Sequence, residues 1–207
     1  MKNLYASRWL TEPYRQKSKI KNKVDIRRLA DMREVIYDKE WLKTAPNLEL
    51  YYMYRGVKEK EGLRYDITII PAKILGKEFV KTKGHEHKNK YGEIYIVLEG
   101  QAIFLIQKRK ENEIEDIYAV KAKKGEAAII PPFYGHITIN PGKKDLKMAN
   151  WISKNCRSDY EIFEKMQGAG YYYTTQGWIK NKNYKKVPEL RFEKSLRSIP
   201  KNLDFLE

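Results

Sequence analysis

Residues 82–100 read TKGHEHKNKYGEIYIVLEG, and this stretch decides the fold. It holds two of the chain's three histidines, His85 and His87, then Glu93, and turns at Glu99-Gly100. In a strand, residues of one parity share a face. His85 and His87 therefore point the same way. Glu93, Tyr95 and Val97 share one face of the next strand, and Ile94, Ile96 and Leu98 share the other. The third histidine, His136, lies in a second strand-like segment, GEAAIIPPFYGHITIN, aligned with Thr138 and Asn140. Three imidazoles and one carboxylate can thus converge on one divalent cation. Imidazole tolerates Fe(II), Mn(II), Zn(II), Ni(II) and Co(II) alike.

Outward from this stretch, period-two patterning predicts strands over 48–57, 63–70, 76–87, 93–98, 101–107, 117–122, 126–131, 136–140 and 146–153. Short strands with a turn every 8–12 residues indicate an all-β sandwich or barrel. Helical spacing is confined to the flanks. DIRRLADMREVI (25–36) predicts a helix with Asp25 as N-cap, and DKEWLKTA (38–45) a second, ended by Pro46. SDYEIFEKMQG (158–168) predicts a third, with Ser158 and Glu161 as a capping box. The Tyr171–Tyr173 run reads as irregular or as one more strand.

The chain has 207 residues, 42% of them apolar, enough for one domain with one sizeable core. Its net charge of +15 is uneven. Residues 1–33 carry ten Lys/Arg against three Asp/Glu, and residues 178–207 carry eight against four. The expected layout is a basic arm over 1–24, a central domain over 25–177 and a basic tail over 178–207. No nucleic-acid motif accompanies the charge, so solvated termini are expected rather than a nucleic-acid surface. The single cysteine, Cys156, suggests a reducing, cytoplasmic setting. No apolar run is long enough to span a membrane.

The two segments together form the pattern H-x-H-x5-E-x6-G, then G-x5-P-x4-H-x3-N from Gly125 through Pro131 and His136 to Asn140. This resembles the two-part cupin signature, which implies a double-stranded β-helix, or jelly roll, with a few short flanking helices. Phe133 stands where the second motif usually has glycine. RRLADM (27–32), GKEF (76–79), TKGHEH (82–87), E-x-Y-x-x-L-x-G (93–100), PP-x-Y-x-H (131–136) and DYE (159–161) are similar to the cupin-type phosphoglucose isomerases.

That resemblance implies a metal-dependent isomerase interconverting glucose 6-phosphate and fructose 6-phosphate, a reaction of glycolysis and gluconeogenesis. It implies one divalent cation per subunit, iron(II) first, held by His85, His87, Glu93 and His136. It implies a phosphate cradle of Thr68, Thr82 and Gly84, with Glu93 and Tyr95 at the reacting carbons. Tyr52 and Tyr160 are further substrate candidates, and a homodimer is expected. Where the family often has a tyrosine followed by G-H-D-Y, this chain has Trp151 and R-S-D-Y with Ser158. Two rival readings share the metal set: an iron-dependent cupin oxygenase, and a non-catalytic cupin that binds sugar phosphate.

Overall fold

The computed structural model describes residues 24–88 and 90–206. The expected arm, apart from Val24, therefore lies outside the described residues. The chain opens with β1 (Val24–Arg28), a 3-10 helix over Leu29–Val35 and α1 (Lys39–Thr44). It then builds β2 (Glu49–Lys60), β3 (Leu63–Ile70), β4 (Ile74–Leu75), β5 (Glu78–Phe79), β6 (His85–His87) and β7 (Glu93–Glu99). There follow β8 (Gln101–Lys110), β9 (Glu113–Lys123), β10 (Ala127–Ile130), β11 (Gly135–Ile139), β12 (Leu146–Ser153) and β13 (Ser158–Asp159). After α2 (Glu161–Lys165) come β14 (Tyr171–Thr174), β15 (Gly177–Lys180) and β16 (Arg191–Lys194).

Two six-stranded sheets result, ordered β1-β2-β3-β12-β7-β10 and β13-β6-β11-β8-β9-β16. The chain crosses between them repeatedly, as a jelly roll does. Pairing is antiparallel except for β16 on β9. The alternation in β7 sorts the two faces. Tyr95 and Val97 turn into the main core with Phe104, Ile106, Ile137 and Met148. Ile94 turns outward into a second cluster with Tyr65, Trp151 and Leu206. Residues 178–206, read from sequence as a tail, supply β16 and carry Leu206 into that second cluster. The third sheet, β15-β14-β5-β4, closes one end and includes the Tyr171–Tyr173 run as β14.

Two helix expectations are corrected. Residues 24–28 form an edge strand instead of a helical turn, with Ile26 opposite Tyr52 on β2. Asp25 is not a cap; its carboxylate accepts from Arg55 Nε at 3.1 Å. A short helix is marginal alone, and an open sheet edge offers the backbone a full ladder instead. Ser158 is likewise not a cap, because it pairs with His87 in β13. Asp159 accepts the Glu161 N–H at 3.0 Å in its place. The strand expected over 76–87 breaks into β5 and β6, separated by residues 80–84.

Candidate metal centre

β6 and β11 are neighbours in the second sheet, with His136 opposite His85. β7 faces them from the first sheet and delivers Glu93. Among the described residues, one ligand atom from each of His85, His87, Glu93 and His136 can be chosen so that all lie within 4.8 Å of one another. Glu93 Oε2 stands 3.4 Å from His87 Nε2 and 3.4 Å from His136 Nε2. The sequence thus named the four residues, and the jelly roll brings all four together.

Hydrogen bonds fix how these groups present themselves. His87 Nδ1 lies 2.8 Å from the carbonyl oxygen of Tyr91, so it carries the proton and leaves Nε2 as the lone-pair nitrogen. Asn150 Nδ2 donates to Glu93 Oε1 at 2.5 Å. His87 Nε2 and Glu93 Oε2 are buried, yet neither has a hydrogen-bond partner. Leaving such atoms unpaired is costly, unless a cation is their partner. Metal bonds of about 2.0–2.2 Å require donor atoms about 3–4 Å apart, and Glu93 Oε2 meets that spacing with His87 Nε2 and with His136 Nε2. The residues present fit a divalent cation.

The electrostatics agree. Burial, then the neighbouring His87, holds His85 well below the ordinary imidazole range. Burial, then His85 and His87, does the same to His136. Both are neutral near pH 7, the form that ligates. His87 behaves differently. Burial opposes its charge, but Cys156 and Glu93 outweigh burial and raise it to about 10. Without a cation, the site recruits a proton as counter-charge to Glu93. Tyr95, whose hydroxyl lies 3.2 Å from His136 Nε2, is pushed well up by burial and by Glu93, so it stays a donor.

His85, Glu93 and His136 line a cleft with a cavity volume of about 60 Å³, and the buried His87 completes the set beside them. Thr68, Thr82, Gly84, Tyr95 and Tyr160 all line the cleft. Thr82 Oγ1 also accepts the Thr138 N–H at 2.9 Å, joining the two strands at that point. Gly84 has φ +87, and a Cβ there would come within 2.5 Å of both Ile137 and Phe163. The glycine is therefore demanded by packing, whatever it binds.

Tyr52 does not reach the cleft. Its hydroxyl donates to Glu49 at 2.8 Å, while Tyr51, Met53 and Arg55, of the opposite parity, line the wall. Trp151 also faces away and packs on Tyr65, ring centroids 4.8 Å apart. Its neighbours Asn150 and Ile152 are the cleft residues, and Ser158 lies at the cleft as well.

The structure adds a wall that sequence reasoning missed. Arg55, Arg64 and Asp66 line the cleft, and Asp66 accepts from Arg64 Nε at 2.9 Å and from the Gly56 N–H at 2.7 Å. The period-two signal was present, because Arg55 shares parity with Tyr51 and Met53, and Arg64 and Asp66 share parity with Thr68. The wall was missed because charged side chains on a strand read as solvent-facing.

The glucose-6-phosphate isomerase (GPI) family model matches residues 26–189. The chain belongs to the glucose-6-phosphate isomerase family. It is 35% identical over 128 residues to the glucose-6-phosphate isomerase of Thermococcus litoralis, covering 59% of this chain and 65% of that protein. It is 35% identical over 123 residues to that of Pyrococcus horikoshii, covering 56% and 63%. The matches thus span somewhat less than two thirds of these relatives' lengths. Among solved structures, an oxalate oxidase in complex with the substrate analogue glycolate shares 16% identity at a TM-score of 0.41, over 68% of this chain and 55% of that one. The family match covers the 3-10 helix, both histidine-bearing segments and the cleft wall.

Proposed function

We propose that this chain is a metal-dependent aldose–ketose isomerase that interconverts glucose 6-phosphate and fructose 6-phosphate. One observation carries the reading: two buried, unpartnered ligand atoms, on His87 and Glu93, converge with His85 and His136 beside a cleft that three of the four line. Family membership favours isomerisation over the oxygenase and binding-only alternatives.

A bound divalent cation, iron(II) first and Mn(II), Zn(II), Ni(II) or Co(II) as substitutes, would polarise the C1 and C2 oxygens of the open-chain sugar. His85, His87, His136 and Glu93 would hold it. Glu93 carries a proton between C1 and C2 as a base, or serves as a ligand while hydrogen passes directly between the carbons. Tyr95, protonated and beside His136, donates to a sugar oxygen. Thr68, Thr82 and the backbone at Gly84 cradle the phosphoryl group, and the arginine-bearing wall favours an anion. Tyr160, whose ring centroid lies 5.5 Å from that of His85, closes the site.

The lone cysteine supports a reducing, cytoplasmic setting. No helix among the described residues is long and apolar enough to cross a membrane. A homodimer is proposed because β1 is an edge strand among the described residues, and such an edge invites a partner strand.

The test is a coupled assay with fructose 6-phosphate on purified protein. EDTA should abolish turnover, and one of the five cations should restore it. No turnover with any of them would sink the isomerase reading.

A further inference from the structure

We infer that Asn150 is a positioning residue for the cation: its amide ties down one oxygen of Glu93 and so presents the other to the histidines. The inference rests on the metal reading of the site. Asn150 is 5% exposed in the middle of β12, opposite Asp66 on β3 and Tyr95 on β7. Inward parity brings Met148, Asn150 and Ile152 to the cleft, and Asn150 alone of the three is polar. It is 57 residues from Glu93 in sequence and outside both ligand segments.

The geometry divides the carboxylate between two tasks. Oε1 accepts from Asn150 Nδ2 at 2.5 Å. Oε2 has no hydrogen bond and faces both His87 Nε2 and His136 Nε2 at 3.4 Å. A carboxylate rotates readily about its terminal bond, which is a broad torsion rather than a set of sharp wells. In a buried site a donor on one oxygen selects the rotation, because turning away strands that oxygen without a partner. An apolar residue at 150 would release Glu93 to turn both oxygens toward the histidines. Glu93 is then a one-oxygen ligand because of Asn150, and its direction is set before any cation arrives.

The experiment is a double-mutant cycle on the EDTA-stripped full-length protein, with Mn(II) and Zn(II) affinities read by competition with a fluorescent chelator. Asn150→Leu removes the donor at similar volume and should weaken both cations about 10–100-fold. In a Glu93→Gln background the same change should alter affinity by no more than about twofold. Asn150→Ser, which keeps a hydroxyl donor, should recover part of the loss. Melting curves of the cation-free variants confirm folding, and Asn150→Ala replaces the leucine variant if that one does not fold. Unchanged affinity in the folded single variant overturns the inference, as does an equal loss in both backgrounds, which would make Asn150 a packing residue only. A wild-type protein that binds neither cation overturns the metal reading itself and the inference with it.

Discussion

His87 Nδ1 sits 2.8 Å from the carbonyl oxygen of Tyr91, which aims the other ring nitrogen at Glu93. That bond spans four residues of the loop between β6 and β7, so loop and ligand are set together. A cation bound only by the folded site stabilises it by mass action, about 2.7 kcal/mol at a hundredfold excess over Kd. Mn(II) or Zn(II) added to stripped protein should raise Tm. His87→Ala should lose that rise together with turnover. A Tm indifferent to every divalent cation would count against the site.

The pH dependence of the cation-free protein follows from three histidines. Burial first, then neighbouring histidines, places His85 and His136 below their unfolded value of 6.5. The unfolded chain then binds more protons as pH falls below 6.5, and stability drops. His87 is raised to about 10, with Cys156 and Glu93 outweighing burial. Its contribution is full below pH 6.5 and is lost as pH rises toward 10. Tm measured in EDTA should therefore decline on both sides. His87→Gln should flatten the alkaline decline and keep the acid one; an alkaline limb that persists would contradict the assignment.

Tyr51 and Tyr52 separate the two faces of β2. Tyr51 lines the cleft, and its hydroxyl accepts the Lys83 N–H at 3.3 Å, next to Thr82 and Gly84. Tyr51→Phe should raise KM for fructose 6-phosphate several-fold. Tyr52→Phe should leave kcat and KM as they are, since its hydroxyl bonds only Glu49. Steady-state kinetics of the pair decide it, and the reverse pattern would refute the placement.

Glu78 and Lys81 form an ion pair with side chains 0% and 2% exposed, immediately before Thr82. Glu78 also accepts the Tyr37 N–H at 2.6 Å. Removing one partner of a buried pair leaves a stranded charge and costs about 3–5 kcal/mol. Lys81→Met should lower Tm sharply in chemical or thermal melts, and adding Glu78→Gln should recover much of it. Additive losses in the double variant would mean the two side chains are not coupled.

Phe133 is 65% exposed and adopts φ +67. A left-handed conformation costs a side-chain-bearing residue about 1–2 kcal/mol, while glycine loses more chain entropy, about 0.5–1 kcal/mol. Phe133→Gly should thus stabilise the protein by about 0.5–1 kcal/mol, read as a higher denaturant midpoint at unchanged slope. A lower midpoint would show that the ring supplies packing not evident from its exposure.

The ligand set was legible because it depends on local rules. Two histidines one residue apart share a strand face, and Glu93, Tyr95 and Val97 share another. The strands of the jelly roll were legible for the same reason. Where a segment sits at a sheet edge, as at 24–28, spacing alone favoured a helix, and a neighbouring strand outcompeted it. Tyr52 was named as a substrate candidate without its face being fixed, and period two puts it opposite Tyr51, which lines the cleft instead.

The sequence by itself determined the four candidate metal ligands and the strand-rich jelly roll. These follow from residue chemistry and from periodicity within single strands. Only the tertiary structure decided which face of β2 and β12 looks inward, and with it the places of Tyr51, Arg55 and Asn150. The pairing of β2 between β1 and β3 and of β12 between β3 and β7 sets those faces. Both depend on contacts between segments far apart in the chain, where no local pattern carries the information.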